Sequence, residues 1–152
     1  MFKQKPFPLS VLALIVLIAL HLGGSFYSLY WVYPGFDIVV HIVSGFWVAL
    51  IFLWLALIWG QMQSLSDYQI KSLLIALVSA LFVGVVWELV ENFSQVTFTK
   101  SIGYSFNTAL DLFNDGLGGL LAYLYFVRRK KCTGRACDIL HPLNRQVEAI
   151  RN

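Results

Sequence analysis

Three pairs of ionisable residues stand at helical spacing in an otherwise apolar chain: Asp37 and His41, Glu88 and Glu91, Asp111 and Asp115. Residues three or four apart share a helix face, so each pair presents two functional groups in one direction. Carboxylates with one or two imidazoles suit Mg, Mn, Zn or Fe rather than copper. Paired helices offering i, i+3 and i, i+4 ligands are one way to build a metal site inside a bundle. Asp37, His41, Glu88, Glu91, Asp111 and Asp115 are therefore candidate metal ligands. Glu88 and Glu91 are also candidate bases, and His41 a candidate acid. Water activated by a divalent metal there could attack a phosphate or acyl ester of a lipid.

These pairs matter because of the solvent around them. Of 152 residues 59% are hydrophobic and 12% charged, against about 45–50% and about 25% in a globular protein. This is the composition of an integral membrane protein. An ionisable side chain at mid-membrane costs about 2.5–3.5 kcal/mol on insertion scales. Crowded carboxylates also resist joint ionisation, so they need protons, water or a cation. The net charge of +3 is concentrated at Lys3 and Lys5 before the first apolar run and at Arg128, Arg129, Lys130 and Lys131 after the last. Such flanks mark cytoplasmic ends and anchor to lipid headgroups. No nucleic-acid partner is expected. Cys132, Cys137 and His141 give only three ligands, one short of a closed zinc site, so the cysteines are read as free thiols.

The elements that position the pairs are all helical, since lipid tolerates no open sheet edge. Hydropathy predicts an all-α bundle of four transmembrane helices over 9–33, 38–59, 70–96 and 104–127, forming a domain over 1–129 with a basic tail over 130–152. Pro34-Gly35 is a turn, Asp37 caps or opens the second span, and Ser66 or Asp67 caps the third. Both termini and Lys71 then lie inside, leaving Lys100 outside (N-in/C-in). All three pairs fall within one to three turns of the same outer surface. His21 comes within vertical reach. Asn107, Asp111, Asn114, Asp115 and Gly118 share one stripe, as Gly84, Glu88 and Asn92 share another, and small residues there admit close helix approach.

Each pair taken alone is more simply a structural hydrogen-bond network: a cap, a paired histidine, amides bonding across helices. Six ionisable residues together exceed what packing needs. Proton or cation transport is disfavoured, because the inner halves of the spans carry no ionisable path. His21 reads as a satisfied buried histidine; Trp31, Trp47, Trp54 and Trp59 as belt and lipid-facing anchors; Trp87 as a pocket wall.

The order Asp37-x3-His41-x3-Gly45, Trp87-Glu88-x2-Glu91 and Asp111-x3-Asp115-x2-Gly118-Gly119 resembles the VanZ-like and YjdF-like small multi-span bacterial proteins, over about 37–123. Glu91 stands where VanZ-like members tend to have Gln, and Asp115 where they tend to have Asn, which is closer to the YjdF-like side. The resemblance implies a bacterial inner-membrane protein with a cell-envelope role and names no reaction. The expected function is a multi-pass membrane protein whose acidic pocket near the extracytoplasmic face binds a metal and acts on a lipid or lipid-linked envelope precursor. The competing expectation is a non-catalytic scaffold or subunit of a complex.

Overall fold

The computed structural model describes residues 6–33, 35–59, 68–94 and 107–128, and every regular element among them is helical. They are α1 (Pro6–Phe26), α2 (Leu29–Val32), α3 (Phe36–Ile58), α4 (Tyr68–Ser94) and α5 (107–128). Three described helices are long and apolar enough to cross a membrane: Phe7–Phe26, Phe36–Ile58 and Tyr68–Phe93. α5, expected as a fourth span, is not among them. Asp111, Asn114 and Asp115 interrupt its first half.

The expected single span over 9–33 is broken. α1 ends at Phe26, and Ser28 adopts a left-handed φ of 54°. The last turn tightens there through Ser28 N–H to the Ser25 carbonyl at 3.4 Å, an ordinary way to satisfy the last carbonyls of a helix. α3 starts two residues earlier than expected, and its N-cap is Gly35 without a side-chain bond. Asp37 is thus an acidic residue in the first turn, favoured by the helix dipole, rather than the cap. The expected caps Ser66 and Asp67, the residues Lys3, Lys5 and Lys100, and the tail with Cys132, Cys137 and His141 lie outside the described residues.

α1 runs antiparallel to α3: Phe7 packs on Trp54 with ring centroids 4.8 Å apart, and Gly24 lies against the Phe36 ring. α5 runs parallel to α3 and antiparallel to α4, touching both. Gly45 lies against the Asp115 backbone, and Gly118 against the Ile42 carbonyl. A Cβ on Gly118 would also stand 2.6 Å from Phe46 N, and one on Gly119 2.9 Å from the Ala76 carbonyl. These glycines let the backbones meet, as small residues do between helices in lipid. Away from the polar residues the core is Leu50, Leu53, Ala56, Ala76, Ala122 and Phe126, with Tyr68 stacked on Phe126 at 5.7 Å. Val78, Phe82, Val85 and Leu89 of α4 are exposed, giving the outward apolar face a spanning helix needs.

The tryptophans depart from expectation. Trp59 is exposed, but Trp47 and Trp54 are half-buried, and their indole nitrogens are buried without a hydrogen-bond partner among the described residues. Trp54 is covered by Phe7 of α1, which packs on that face of α3.

Candidate metal centre

Successive turns of α3 carry Asp37, His41 and then Ser44-Gly45. Because α5 lies parallel to α3 with glycine contacts fixing the register, its own Asp111 and Asp115 arrive at matching heights. His41 stands between them, its side chain 5% exposed. Its Nδ1 is 3.2 Å from Asp115 Oδ2. Its Nε2 faces Asp37 Oδ1 at 3.6 Å and Asp111 Oδ1 at 3.8 Å.

The two ring nitrogens therefore sit in different surroundings. The Nδ1 contact lies at the outer edge of hydrogen-bond range, whereas 3.6 and 3.8 Å lie beyond it. Asp37, His41 and Asp111 each offer one atom within 4.8 Å of the others, a group that could hold a metal ion. Around a tetrahedral zinc with bonds of about 2.0–2.1 Å, ligand atoms lie about 3.3–3.4 Å apart. The two separations from His41 Nε2 need to close by only a few tenths of an ångström, while the Asp37 and Asp111 oxygens, within 4.8 Å of each other, need to draw together by up to about 1.5 Å. The donor set, two carboxylate oxygens and an imidazole nitrogen, matches that chemistry.

The remaining polar groups brace this group from three helices. Ser44 Oγ donates to Asp115 Oδ1 at 2.7 Å and lies 2.8 Å from its own-helix acceptor, the His41 carbonyl. Asn107 Nδ2 donates to Asp111 Oδ2 at 2.7 Å. From α4, Glu88 Oε2 accepts from Thr108 Oγ1 at 2.8 Å. Glu88 is 7% exposed, and its Oε1 is buried with no hydrogen-bond partner among the described residues. An orphaned buried carboxylate oxygen costs free energy, and a proton or a cation relieves it. Glu91 Oε1 accepts from Trp87 Nε1 at 2.9 Å. Both glutamates act electrostatically on Asp111, and Glu91 also on Asp37 and His41.

A flank of α1 and α2 closes the same end. His21 Nδ1 lies 3.0 Å from Tyr30 Oη, and its ring meets Trp87 edge-on at 5.9 Å. Tyr30 packs on Phe36. Burial first, then the Asp37 and Glu91 carboxylates, push the Tyr30 phenol up to about 12, so it stays a proton donor.

Of the six residues picked from sequence, Asp37, His41, Asp111 and Asp115 meet directly, with Asp115 on the ring nitrogen opposite the other two. Glu88 and Glu91 stand beside them, each held by a neighbour. His21 is exposed and paired with Tyr30 rather than buried. Trp87 donates to Glu91 while 42% exposed. Sequence reasoning missed Thr108 and Tyr30. Thr108 sits three residues before Asp111 on the same face, and that spacing could have exposed it. Tyr30 has no such signal, because it is brought in by the break at Ser28.

The sequence profile of one family, Predicted membrane protein (DUF2238), matches residues 2–131. No curated protein and no solved structure matches the chain.

Proposed function

The chain belongs to the DUF2238 family of predicted membrane proteins, and on that premise we propose that it is a metal-dependent enzyme acting on a lipid or lipid-linked envelope precursor. The observation that carries the reading is His41 Nε2 facing two carboxylate oxygens at 3.6 and 3.8 Å, too far for hydrogen bonds and suited to a shared cation. Two carboxylates and a neutral imidazole carry the charge that a divalent Zn, Mg, Mn or Fe ion neutralises. The unpartnered Oε1 of Glu88 supports a further polar occupant beside that centre.

In this reading Asp37, His41 and Asp111 hold the ion. Such an ion activates water and polarises a phosphoryl or acyl oxygen. Glu88 takes the proton from the attacking water through its free oxygen while Thr108 fixes the other. Glu91, held by Trp87, orients the headgroup. Asp37 is the most open member, its side chain 34% exposed, and the substrate enters past it. If α5, the more polar helix, makes a fourth crossing and the basic flanks keep both termini in the cytoplasm, this end faces the extracytoplasmic side of a bacterial inner membrane. The VanZ-like and YjdF-like motif resemblance supports an envelope setting.

A scaffold whose polar residues lock helices together is the rival, favoured by the bonds of Ser44 to Asp115 and Thr108 to Glu88, which both cross helices. The deciding experiment measures metal content of purified protein and release of phosphate or fatty acid from lipid substrates in vesicles, with Glu88→Gln and Asp111→Asn as controls. The enzyme reading expects about one ion per chain, lost in Asp111→Asn, and turnover lost in both variants. No bound metal and no turnover, with both variants folded, leaves the scaffold.

A further inference from the structure

We propose that Asp115 is a positioning residue: it fixes which nitrogen of His41 faces the cation and is not itself a ligand. The inference rests on the reading of Asp37, His41 and Asp111 as a cation centre. A neutral imidazole carries its proton on one nitrogen and its lone pair on the other, and the partner of the first decides the orientation of the second. Asp115 Oδ2 accepts from His41 Nδ1 at 3.2 Å, with side chains only 3% and 5% exposed. The lone pair is thereby left on Nε2, the atom facing Asp37 and Asp111.

Asp115 is itself clamped. Its second oxygen accepts from Ser44 Oγ at 2.7 Å. Gly84 of α4 lies against the same carboxylate and Gly45 of α3 against its backbone, leaving no room for a side chain at either position. To join the ligands, the carboxylate would have to give up both bonds inside a packed three-helix contact. Order therefore passes from Ser44 to Asp115, from Asp115 to His41, and from His41 to the ion.

The chain has three histidines, so His21→Gln and His141→Gln in one background isolate His41 in the nitrogen NMR spectrum of labelled protein in vesicles. The test combines that spectrum with Zn²⁺ affinity from competition with a chromophoric chelator. Expected for the native site is an Nδ1-protonated His41 whose Nε2 signal shifts on adding Zn²⁺. Asp115→Asn should weaken Zn²⁺ binding about 10–100-fold and mix the two tautomers. Ser44→Ala should cost only a few-fold and shift the tautomer balance in the same direction. Native-like affinity and tautomer in Asp115→Asn overturn the proposal. Loss as complete as in Asp111→Asn also overturns it, by making Asp115 a ligand. If Asp115→Asn does not fold, Ser44→Ala decides alone: unchanged tautomer and affinity overturn the proposal. Failure of the native protein to bind Zn²⁺ removes the underlying cation centre instead, and the proposal with it.

Discussion

At the end of the bundle where α3 and α5 begin, side chains bond across helices: His41 and Ser44 to Asp115, Thr108 to Glu88. At the opposite end Leu50, Leu53, Ala76 and Ala122 are fully buried and Tyr68 stacks on Phe126. In water the second end would drive folding. In a bilayer it gains nothing by leaving water, because lipid tails are as apolar as leucine, and only close packing remains. The polar end sets register and orientation, and it concentrates carboxylates beyond what register needs. That surplus is what the proposed cation centre accounts for. The glycines between the two ends serve both, since without backbone contact neither polar bonds nor ring stacking could form.

The largest effect should come from those glycines. Gly118→Ala places a methyl on the Ile42 carbonyl and close to Phe46 N, and both are backbone atoms that cannot step aside. Separating α3 from α5 should cost about 3 kcal/mol and disrupt both ends, seen as a lower unfolding temperature in detergent. Gly23→Ala, facing open space in α1, should be neutral or slightly stabilising. Equal effects of the two would break the link between the ends.

Next is the proposed cation centre. Asp111→Asn should lower Zn²⁺ affinity at least about 100-fold, beyond the loss typical of an outer partner. It should leave the metal-free protein as stable as the parent or more so, since one of several crowded carboxylates becomes neutral. Calorimetric titration with Zn²⁺, and unfolding with chelator present, separate the two quantities. A destabilised metal-free variant would return Asp111 to a structural role.

Much of this division was legible in the chain. Asp37/His41 and Asp111/Asp115 announced themselves by helical spacing and by their cost in lipid, and the small residues Gly45, Gly84 and Gly118 marked the contact faces. Spacing could not reveal that Asp115 and Asp111 approach opposite sides of one imidazole, because that depends on the rotation of α5 against α3. Nor could hydropathy locate the end of the first span. Phe26 to Tyr33 is apolar or aromatic apart from Ser28, and the break comes from the backbone at that residue. The expected role of Trp47 and Trp54 failed for a related reason: an indole reads the same from sequence whether it meets lipid or a neighbouring helix.

A third change probes the apolar end alone. Leu53→Ala removes a fully buried side chain. The soluble-protein cost of about 2–5 kcal/mol includes transfer from water, a term largely absent in lipid. The loss should therefore be about 1–2 kcal/mol, with Zn²⁺ affinity unchanged. A weakened metal site would mean that the two ends are coupled through packing.

The smallest effect concerns the rim, where α2 meets the polar end. Burial and the nearby Asp37 and Glu91 carboxylates push the Tyr30 phenol up from the ordinary 10.0 to about 12. The unfolded chain ionises this phenol at the lower value while the folded protein keeps it neutral. Tyr30 thus costs nothing below about pH 10, and stability falls as pH rises from there through about 12. Because Tyr30 is only partly buried, water screens the neighbouring charges and the slope should be shallow. Tyr30→Phe should flatten it, and the near-ultraviolet absorbance should lose one late-titrating phenolate. The same substitution frees His21 Nδ1, bonded at 3.0 Å, without touching His41, so Zn²⁺ affinity should stay within a few-fold. An unchanged alkaline slope in Tyr30→Phe would show that the α2 segment does not cover the carboxylates. The polar end would then be open to water along that edge.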